Sequence, residues 1–199
     1  MVYRKDDRMN IADYIRIIDI FEALKRNTRH SWLSDGRHES VAEHSWRLAA
    51  MSYFIKDEFP KADISKIIMM CLFHDIGEAF TGDIPAFLKT ENDERIEENT
   101  VDNFINTLPK PYRNELIDLF TEMTELKTLE SKIYKALDKM EAVIQHNEAD
   151  ISSWLPLEYD LQLTYGEKEV EFSEYMKALK KEANNNSLMK IEKHRCNKE

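Results

Sequence analysis

The chain has 199 residues, a length that fits one domain with a substantial buried core. Its net charge is −10, from 28 basic and 38 acidic residues, which argues against broad binding to the nucleic-acid backbone. The longest apolar stretch, Ile67 to Phe73, is far shorter than the roughly 20 residues of a membrane-spanning helix. We also expect no secretory signal, because the first residues are charged, and we expect Cys71 and Cys196 to be reduced thiols of a cytoplasmic protein.

The scarcity of glycine and proline, with 4 and 5 residues, favours an all-α fold of about six to eight helices. No segment alternates apolar and polar residues as a half-buried strand does. Asn10 is placed to cap a first helix that runs to about Asn27, and the turn formers in residues 28–39 predict a loop. The apolar face predicted for this helix is Ile11, Tyr14, Ile18, Phe21 and Leu24.

A capping box begins the second predicted helix, with Ser40 at the N-cap and Glu43 three residues later. This helix is expected to run to about Asp57. A third helix is predicted as one continuous element over residues 63–80, because its apolar residues keep a helical spacing.

The second half of the chain predicts three more helices, then a loop and a final helix. The helices are predicted over residues 91–108, 111–126 and 128–148, the loop over 149–165 and the final helix over 167–183. Trp154, Leu155 and Leu157 are expected to anchor the loop. We predict one domain over residues 1–183, followed by a polar tail over residues 184–199.

Several polar residues stand where the predicted core should be. His44 interrupts the apolar stripe of the second helix, and Asp75 interrupts that of the third, directly after His74. Asp138 lies at the border of the buried face of the helix over 128–148. A lone inward histidine is more often a hydrogen-bonded core residue, and adjacent His-Asp pairs occur by chance. A buried aspartate is costly unless it is paired or binds a metal, however, so the set of four favours a divalent cation.

The arrangement of His44, then His74 with Asp75, then Asp138 resembles the H…HD…D signature of the HD superfamily. The gaps between the motifs are 30 and 63 residues. The segments 39–45 and 74–85 are similar to the bacterial 5′-deoxynucleotidase branch, and the similarity runs from about Phe21 to Asp150. The resemblance implies a single HD-domain helical bundle.

The resemblance also implies a role for each matching residue. The metal ligands are His44, His74, Asp75 and Asp138, around one divalent ion such as Mn²⁺, Co²⁺, Fe²⁺ or Mg²⁺. Glu78 and Asp83 match the catalytic acids, and Arg29 matches an arginine that contacts the substrate phosphate. Arg37 is a weaker second candidate for the phosphate. The branch usually has tryptophan after this arginine, whereas this chain has His30, and that departure puts the contacts to the nucleoside in doubt.

The implied function is a metal-dependent phosphohydrolase that removes phosphate from (deoxy)nucleoside 5′-monophosphates through an activated water. One alternative is a deoxynucleoside triphosphate triphosphohydrolase, with Arg47, Lys135 and Lys139 as possible extra cations. A cyclic-nucleotide phosphodiesterase is a weaker variant. Another class is a helical protein that binds nucleotide without turnover. The expected partners are the nucleotide and a second copy of the chain in a homodimer, with neither nucleic acid nor membrane. His146 is expected to be structural, because it lies about 12 Å along the helix from Asp138.

Overall fold

A computed structural model describes residues 8–197 as helices packed around one core, with a small antiparallel hairpin beside them. The elements are α1 (Ile11–Arg26), β1 (Thr28–Trp32), β2 (His38–Ser40), α2 (Val41–Phe54), α3 (Ile64–Phe73), α4 (Glu78–Thr81), α5 (Glu91–Asn106), α6 (Lys110–Glu125), α7 (Leu129–Glu148), α8 (Glu158–Thr164), α9 (Glu167–Val170) and α10 (Glu174–Cys196). The predicted all-α class is confirmed. No helix within residues 8–197 is long and apolar enough to cross a bilayer.

Helix α1 begins as predicted, since the Asn10 side chain accepts a hydrogen bond from the Asp13 amide. The predicted apolar face is wrong in the first half of the helix, where Ile11 is 79% exposed and Tyr14 is 54% exposed. The helix contacts α2 and α4, and its one buried residue, Leu24, lies in the last turns. The spacing of apolar residues therefore predicted the helix correctly, but it did not predict which turns are buried by the rest of the protein.

The predicted loop over residues 28–39 is wrong, because β1 and β2 pair there as a hairpin. Thr28 lies opposite Ser40 and Trp32 lies opposite His38, with an irregular register between the two pairs. The strands are short and polar, so they lack the apolar alternation that marks a half-buried strand. Gly36 closes the turn with φ of +86°, which a residue with a side chain rarely adopts.

The capping box at Ser40 is present in full, although α2 ends at Phe54 rather than near Asp57. The continuous helix predicted over residues 63–80 is wrong, since it divides into α3 and α4. Between them the chain tightens, and amides bond to carbonyls three residues back, as from Glu78 to Asp75 at 3.0 Å. The tightened turn contains His74 and Asp75, two adjacent residues that an undisturbed α-helix would direct about 100° apart.

Helix α7 is the central element and packs against α2, α3, α6, α9 and α10. It begins at the Thr128 cap and ends at Glu148, as predicted. Ile133, Leu137 and Met140 on its inner face are fully buried. The acids and histidines of α7 are therefore held on an element fixed on several sides.

The predictions for the C-terminal segments need two corrections. The loop predicted over 149–165 contains α8, and of its three expected anchors Trp154 is buried whereas Leu155 and Leu157 are exposed. The final helix predicted over 167–183 is also wrong at both ends, because the short α9 comes first and α10 begins only at Glu174 and continues to Cys196. Its later turns are covered, with Ser187 and Ile191 buried, so tertiary contacts hold a segment whose composition favours fraying. The division into one domain and a tail stays a prediction.

Candidate metal centre and active site

Three helices bring the four predicted metal ligands to one place. His44 comes from α2, His74 and Asp75 from the turn after α3, and Asp138 from α7. One donor atom each from His44, His74 and Asp75 lies within 4.8 Å of the others. The Asp138 Oδ1 atom is 3.4 Å from His44 Nε2 and 3.7 Å from His74 Nε2. The four side chains thus form one compact cluster of two imidazoles and two carboxylates.

Both histidines are oriented by contacts through their Nδ1 atoms. His44 Nδ1 pairs with the Glu141 carboxylate, and His74 Nδ1 donates to the Cys71 carbonyl at 2.9 Å. The Nε2 atom of each ring is buried and has no hydrogen-bond partner. Buried polar atoms are usually paired, so two such nitrogens facing two carboxylates fit a cation ligand set. The residues present therefore fit the divalent metal that the family implies.

Cations already neutralise much of the carboxylate charge in the cluster. Lys135 Nζ is 2.9 Å from Asp138 Oδ2, and Lys139 Nζ is 3.7 Å from the same atom. Burial would raise the pKa of Asp138, but the two lysines hold that pKa well below its usual range. Asp138 is therefore ionised at neutral pH, and its oxygens can only accept hydrogen bonds or bind a cation.

Arg29 on β1 reaches the edge of the cluster. Its Nη1 is 3.9 Å from Asp75 Oδ2, and its Nε is 3.5 Å from Glu39 Oε2. Burial alone would lower the pKa of Arg29, but the nearby carboxylates, Asp75 first among them, raise it above the usual arginine value. A fixed guanidinium beside a metal ligand suits a phosphate group that contacts both.

Two buried acids beside the cluster were missed by sequence reasoning. Glu141 is fully buried and pairs with His44, and Glu39 is 1% exposed and lies beside Arg29. Burial, with the Glu141 charge next in size, raises the pKa of Glu39 to about 7. Glu141 did carry a signal, because it follows Leu137 by four residues on the buried stripe of α7. Glu39 begins the first of the segments that carry the resemblance, but its burial was not predicted because the strand that holds it was not predicted either.

The two predicted catalytic acids both lie near Asp75, but of the two only Asp83 lines the pocket beside the cluster. Glu78 begins α4, one helical turn after Asp75, and is 5% exposed, with Oε2 lacking a hydrogen-bond partner. Burial and the charges of Asp75 and Asp83 raise the pKa of Glu78 to about 10. Asp83 follows α4 and lines a pocket together with Arg29. Burial also raises the pKa of Asp83, although Arg29 opposes the rise.

The structure does not bring Arg37 to this cluster. Its guanidinium is exposed and pairs with Glu43 at 2.6 Å and with Asp35 at 3.5 Å. In the described residues it has no hydrogen bond or ion pair with any of the four clustered ligands, so its phosphate role stays a prediction without structural support. The prediction rested only on the position of Arg37 in the predicted loop before His44. That position did not reveal that Arg37 pairs with Glu43 on α2.

Most of the chain matches a family model. The model described as an HD domain matches residues 21–180. The chain belongs to the HD-domain family, which confirms the resemblance seen in the sequence. The fold and the ligand set thus define the class, that of helical phosphohydrolases with a divalent metal.

Curated relatives narrow the comparison further. A protein of Dictyostelium discoideum named 5′-deoxynucleotidase HDDC2 is 32% identical over 148 residues, covering 69% of this chain and 78% of its own length. The human protein of the same name is 32% identical over 143 residues, covering 70% of this chain and 68% of its own length.

Solved structures share the fold. A predicted metal-dependent phosphohydrolase from Magnetospirillum magnetotacticum superposes with a TM-score of 0.70 at 23% identity, covering 90% of this chain and 97% of its own. A conserved hypothetical protein from Pyrococcus furiosus gives a TM-score of 0.67 at 29% identity, covering 86% of this chain and 99% of its own. These likenesses support the helical architecture over more of the chain than the sequence relatives cover.

Proposed function

We propose that this protein hydrolyses deoxynucleoside 5′-monophosphates to the nucleoside and inorganic phosphate. The observation that carries the proposal is the cluster of two unpartnered imidazole nitrogens and two aspartates, with Arg29 at its edge. The relatives that span most of the chain carry the name 5′-deoxynucleotidase, which supports the same substrate class. The proposal keeps the function that the sequence resemblance implies.

The metal is proposed to be a single divalent ion held by His44, His74, Asp75 and Asp138. When bound, such an ion supplies an activated water and polarises a phosphoryl oxygen. Among Mn²⁺, Co²⁺, Fe²⁺ and Mg²⁺, the mixed imidazole and carboxylate set favours the transition metals, because nitrogen ligands suit them better than Mg²⁺.

The chain's own residues then divide the remaining work. Arg29 binds the phosphate, since its guanidinium lies between the cluster and the pocket that Asp83 also lines. Asp83, on the pocket side, is placed to give a proton to the departing ribose oxygen. Glu78, on the inner side near Asp75, is placed to orient the attacking water. Glu141 keeps His44 in the orientation that presents Nε2 to the cluster.

A triphosphohydrolase remains the second candidate because of one observation. That reaction needs more positive charge near the phosphates, and Lys135 and Lys139 both lie within 4 Å of Asp138. The Lys135 ammonium donates to Asp138. The Lys139 ammonium donates to the Tyr165 hydroxyl at 2.8 Å, so both lysines already have partners within the protein. This arrangement favours neutralisation of Asp138 over the binding of a long phosphate chain. The curated relatives favour the monophosphate reaction.

The test is phosphate release from nucleoside mono- and triphosphates, with metal-free protein and added Mn²⁺, Co²⁺ or Mg²⁺. We expect monophosphate hydrolysis that depends on the metal and falls to background in Asp75→Ala. Metal content of wild type and variant, measured by elemental analysis, separates loss of the ion from loss of folding. Release of intact triphosphate would favour the second candidate, and no turnover by metal-loaded protein would sink both.

Two further features remain proposals. A homodimer is proposed because apolar side chains of α1, such as Ile11 and Ile15, are more than half exposed. Size-exclusion chromatography with light scattering tests it, and a monomer at micromolar concentration would contradict it. The cytoplasmic location stays a prediction from the composition.

A further inference from the structure

A pocket lies beside the metal centre, between the hairpin, α7 and α8. One end is lined by Arg29 and Asp83, which belong to the proposed active site, and the other end is lined by His146 and Glu158. From the sequence we expected His146 to be structural, and nothing in the proposed hydrolysis uses it. Its place in this pocket suggests a different role.

Helix α7 connects the two ends. Asp138, Ala142 and His146 follow one another at intervals of four residues, so they lie along one face. At 1.5 Å per residue, Ala142 is about 6 Å and His146 about 12 Å along the axis from Asp138. Ala142 and His146 both line the pocket. A nucleotide whose phosphate is near Asp138 would therefore have its sugar beside the small Ala142 and its base near His146.

The His146 side chain is buried and held in one orientation by its neighbours. Its side chain is 9% exposed, and its Nε2 atom is buried without a hydrogen-bond partner. The ring stacks on Trp154, with centroids 4.4 Å apart, and the Trp154 indole donates to the His146 carbonyl at 3.1 Å. Burial lowers the pKa of His146, so the ring is neutral at pH 7 and one of its two nitrogens is a hydrogen-bond acceptor.

Glu158 lies between two histidines at the start of α8. Its Oε1 is 2.9 Å from His30 Nε2, its Oε2 accepts from the Leu155 amide at 2.6 Å, and the same Oε2 is 3.6 Å from His146 Nε2. A carboxylate has about four acceptor positions, so the contacts to His30 and Leu155 leave room for a ligand donor. This end of the pocket is therefore rich in acceptors.

We propose that this pocket holds the nucleoside and that Glu158 and His146 select nucleobases presenting an amino group. The proposal rests on the proposed phosphatase function for the direction in which the substrate lies. A base amino group donates hydrogen bonds to acceptors, whereas a base carbonyl in the same position would face a carboxylate and lose its hydration without a new partner. Cytosine and uracil form the sharpest pair, because an amino group in the first is a carbonyl in the second.

The experiment measures binding of deoxycytidine and deoxyuridine 5′-monophosphates to the metal-free full chain by calorimetry, so that no hydrolysis interferes, together with kcat and KM for both after addition of Mn²⁺. Wild type is expected to prefer the cytidine compound. Glu158→Gln adds a donor, so it should reduce the preference about tenfold, through Kd and KM rather than kcat. Asp160→Asn is the matched control, because Asp160 is exposed on the same helix, and it should leave the ratio unchanged.

A second variant guards against misfolding of the first. His146→Phe keeps a ring against Trp154 and removes the acceptor nitrogen, so it should also reduce the preference. Equal binding of the two nucleotides to wild type would overturn the proposal, as would a uniform loss for both nucleotides in each variant. Because Kd is measured without turnover, the expected ratio without phosphate release would uphold base selection and reject the phosphatase. Phosphate release without the expected ratio of Kd values would uphold the phosphatase and overturn base selection.

Discussion

The two ends of the α7 face differ in how their charges are arranged. At the Asp138 end, lysines, an arginine and histidines surround the carboxylates, and Glu141 and His44 are both fully buried. At the His146 end, Glu158 has its histidine and amide contacts, and the His146 ring nitrogen has no partner. The first end therefore surrounds its carboxylates with cations and imidazoles, as the proposed metal site requires, whereas the second end offers acceptors to the proposed base.

The largest expected effects separate the two acids at the first end. Asp83→Asn should lower kcat for a nucleotide by about a hundredfold or more, because a poor leaving group needs its proton. The loss should shrink for p-nitrophenyl phosphate, whose leaving group needs no proton. Glu78→Gln should lower both rates alike. Steady-state kinetics with both substrates measures this, and the opposite pattern would exchange the two roles.

The next effect concerns the residue that orients a metal ligand. Glu141→Gln keeps an acceptor for His44 but removes the charge, so metal affinity should fall about tenfold to a hundredfold. Titration of metal-free protein with Mn²⁺ measures it, and thermal unfolding of the metal-free form reports on packing. Glu192→Gln, at an exposed position of α10, is the control. Glu148 is unsuitable because Arg47 contacts both Glu148 and Glu141. Unchanged affinity in Glu141→Gln would leave Glu141 as a packing residue.

A smaller effect, on KM, is expected from substitution of Arg29, which lies between the cluster and the pocket. Arg29→Lys keeps the charge but loses the planar pair of donors, so KM for nucleotides should rise about tenfold with metal affinity unchanged. Initial rates over a range of substrate concentrations give KM. An effect on kcat alone would indicate that Arg29 acts in the reaction step rather than in phosphate binding.

The last expected effect is on stability rather than activity, and it tests a buried charge near the pocket end. Lys180 is 4% exposed and donates to the carbonyl of Gln162, a pocket residue, and burial lowers its pKa to about 8 from 10.5. Between these values the unfolded chain binds more protons than the folded one, so the free energy of unfolding should rise with pH from about 8 to 10.5.

The expected rise is about 3 kcal/mol, because each unit of difference between the folded and unfolded pKa corresponds to roughly 1.4 kcal/mol, and urea unfolding across that pH range measures it. Lys180→Met should remove the Lys180 part of the rise, whereas Lys181→Met, at an exposed neighbouring position, should retain it. Identical pH profiles for wild type and Lys180→Met would show that Lys180 does not govern the rise.

The sequence by itself determined the features that repeat along one element. The spacing of apolar residues predicted the main helices, and His44, Asp75 and Asp138 were noticed because they interrupt or border the same pattern. The paired motifs then indicated the family. These features are local, because a helix turns the same way whatever packs against it.

Only the tertiary structure decided which residues meet across elements. Glu141 from α7 reaches His44 from α2, and Glu158 from α8 reaches His30 from β1, at sequence separations of 97 and 128 residues. Arg37 pairs with Glu43 and not with the cluster. Helix α10 continues past its three asparagines because residues in its later turns are buried against the rest of the protein. Periodicity records which face of an element is buried, whereas the partner of that face depends on how the whole chain packs.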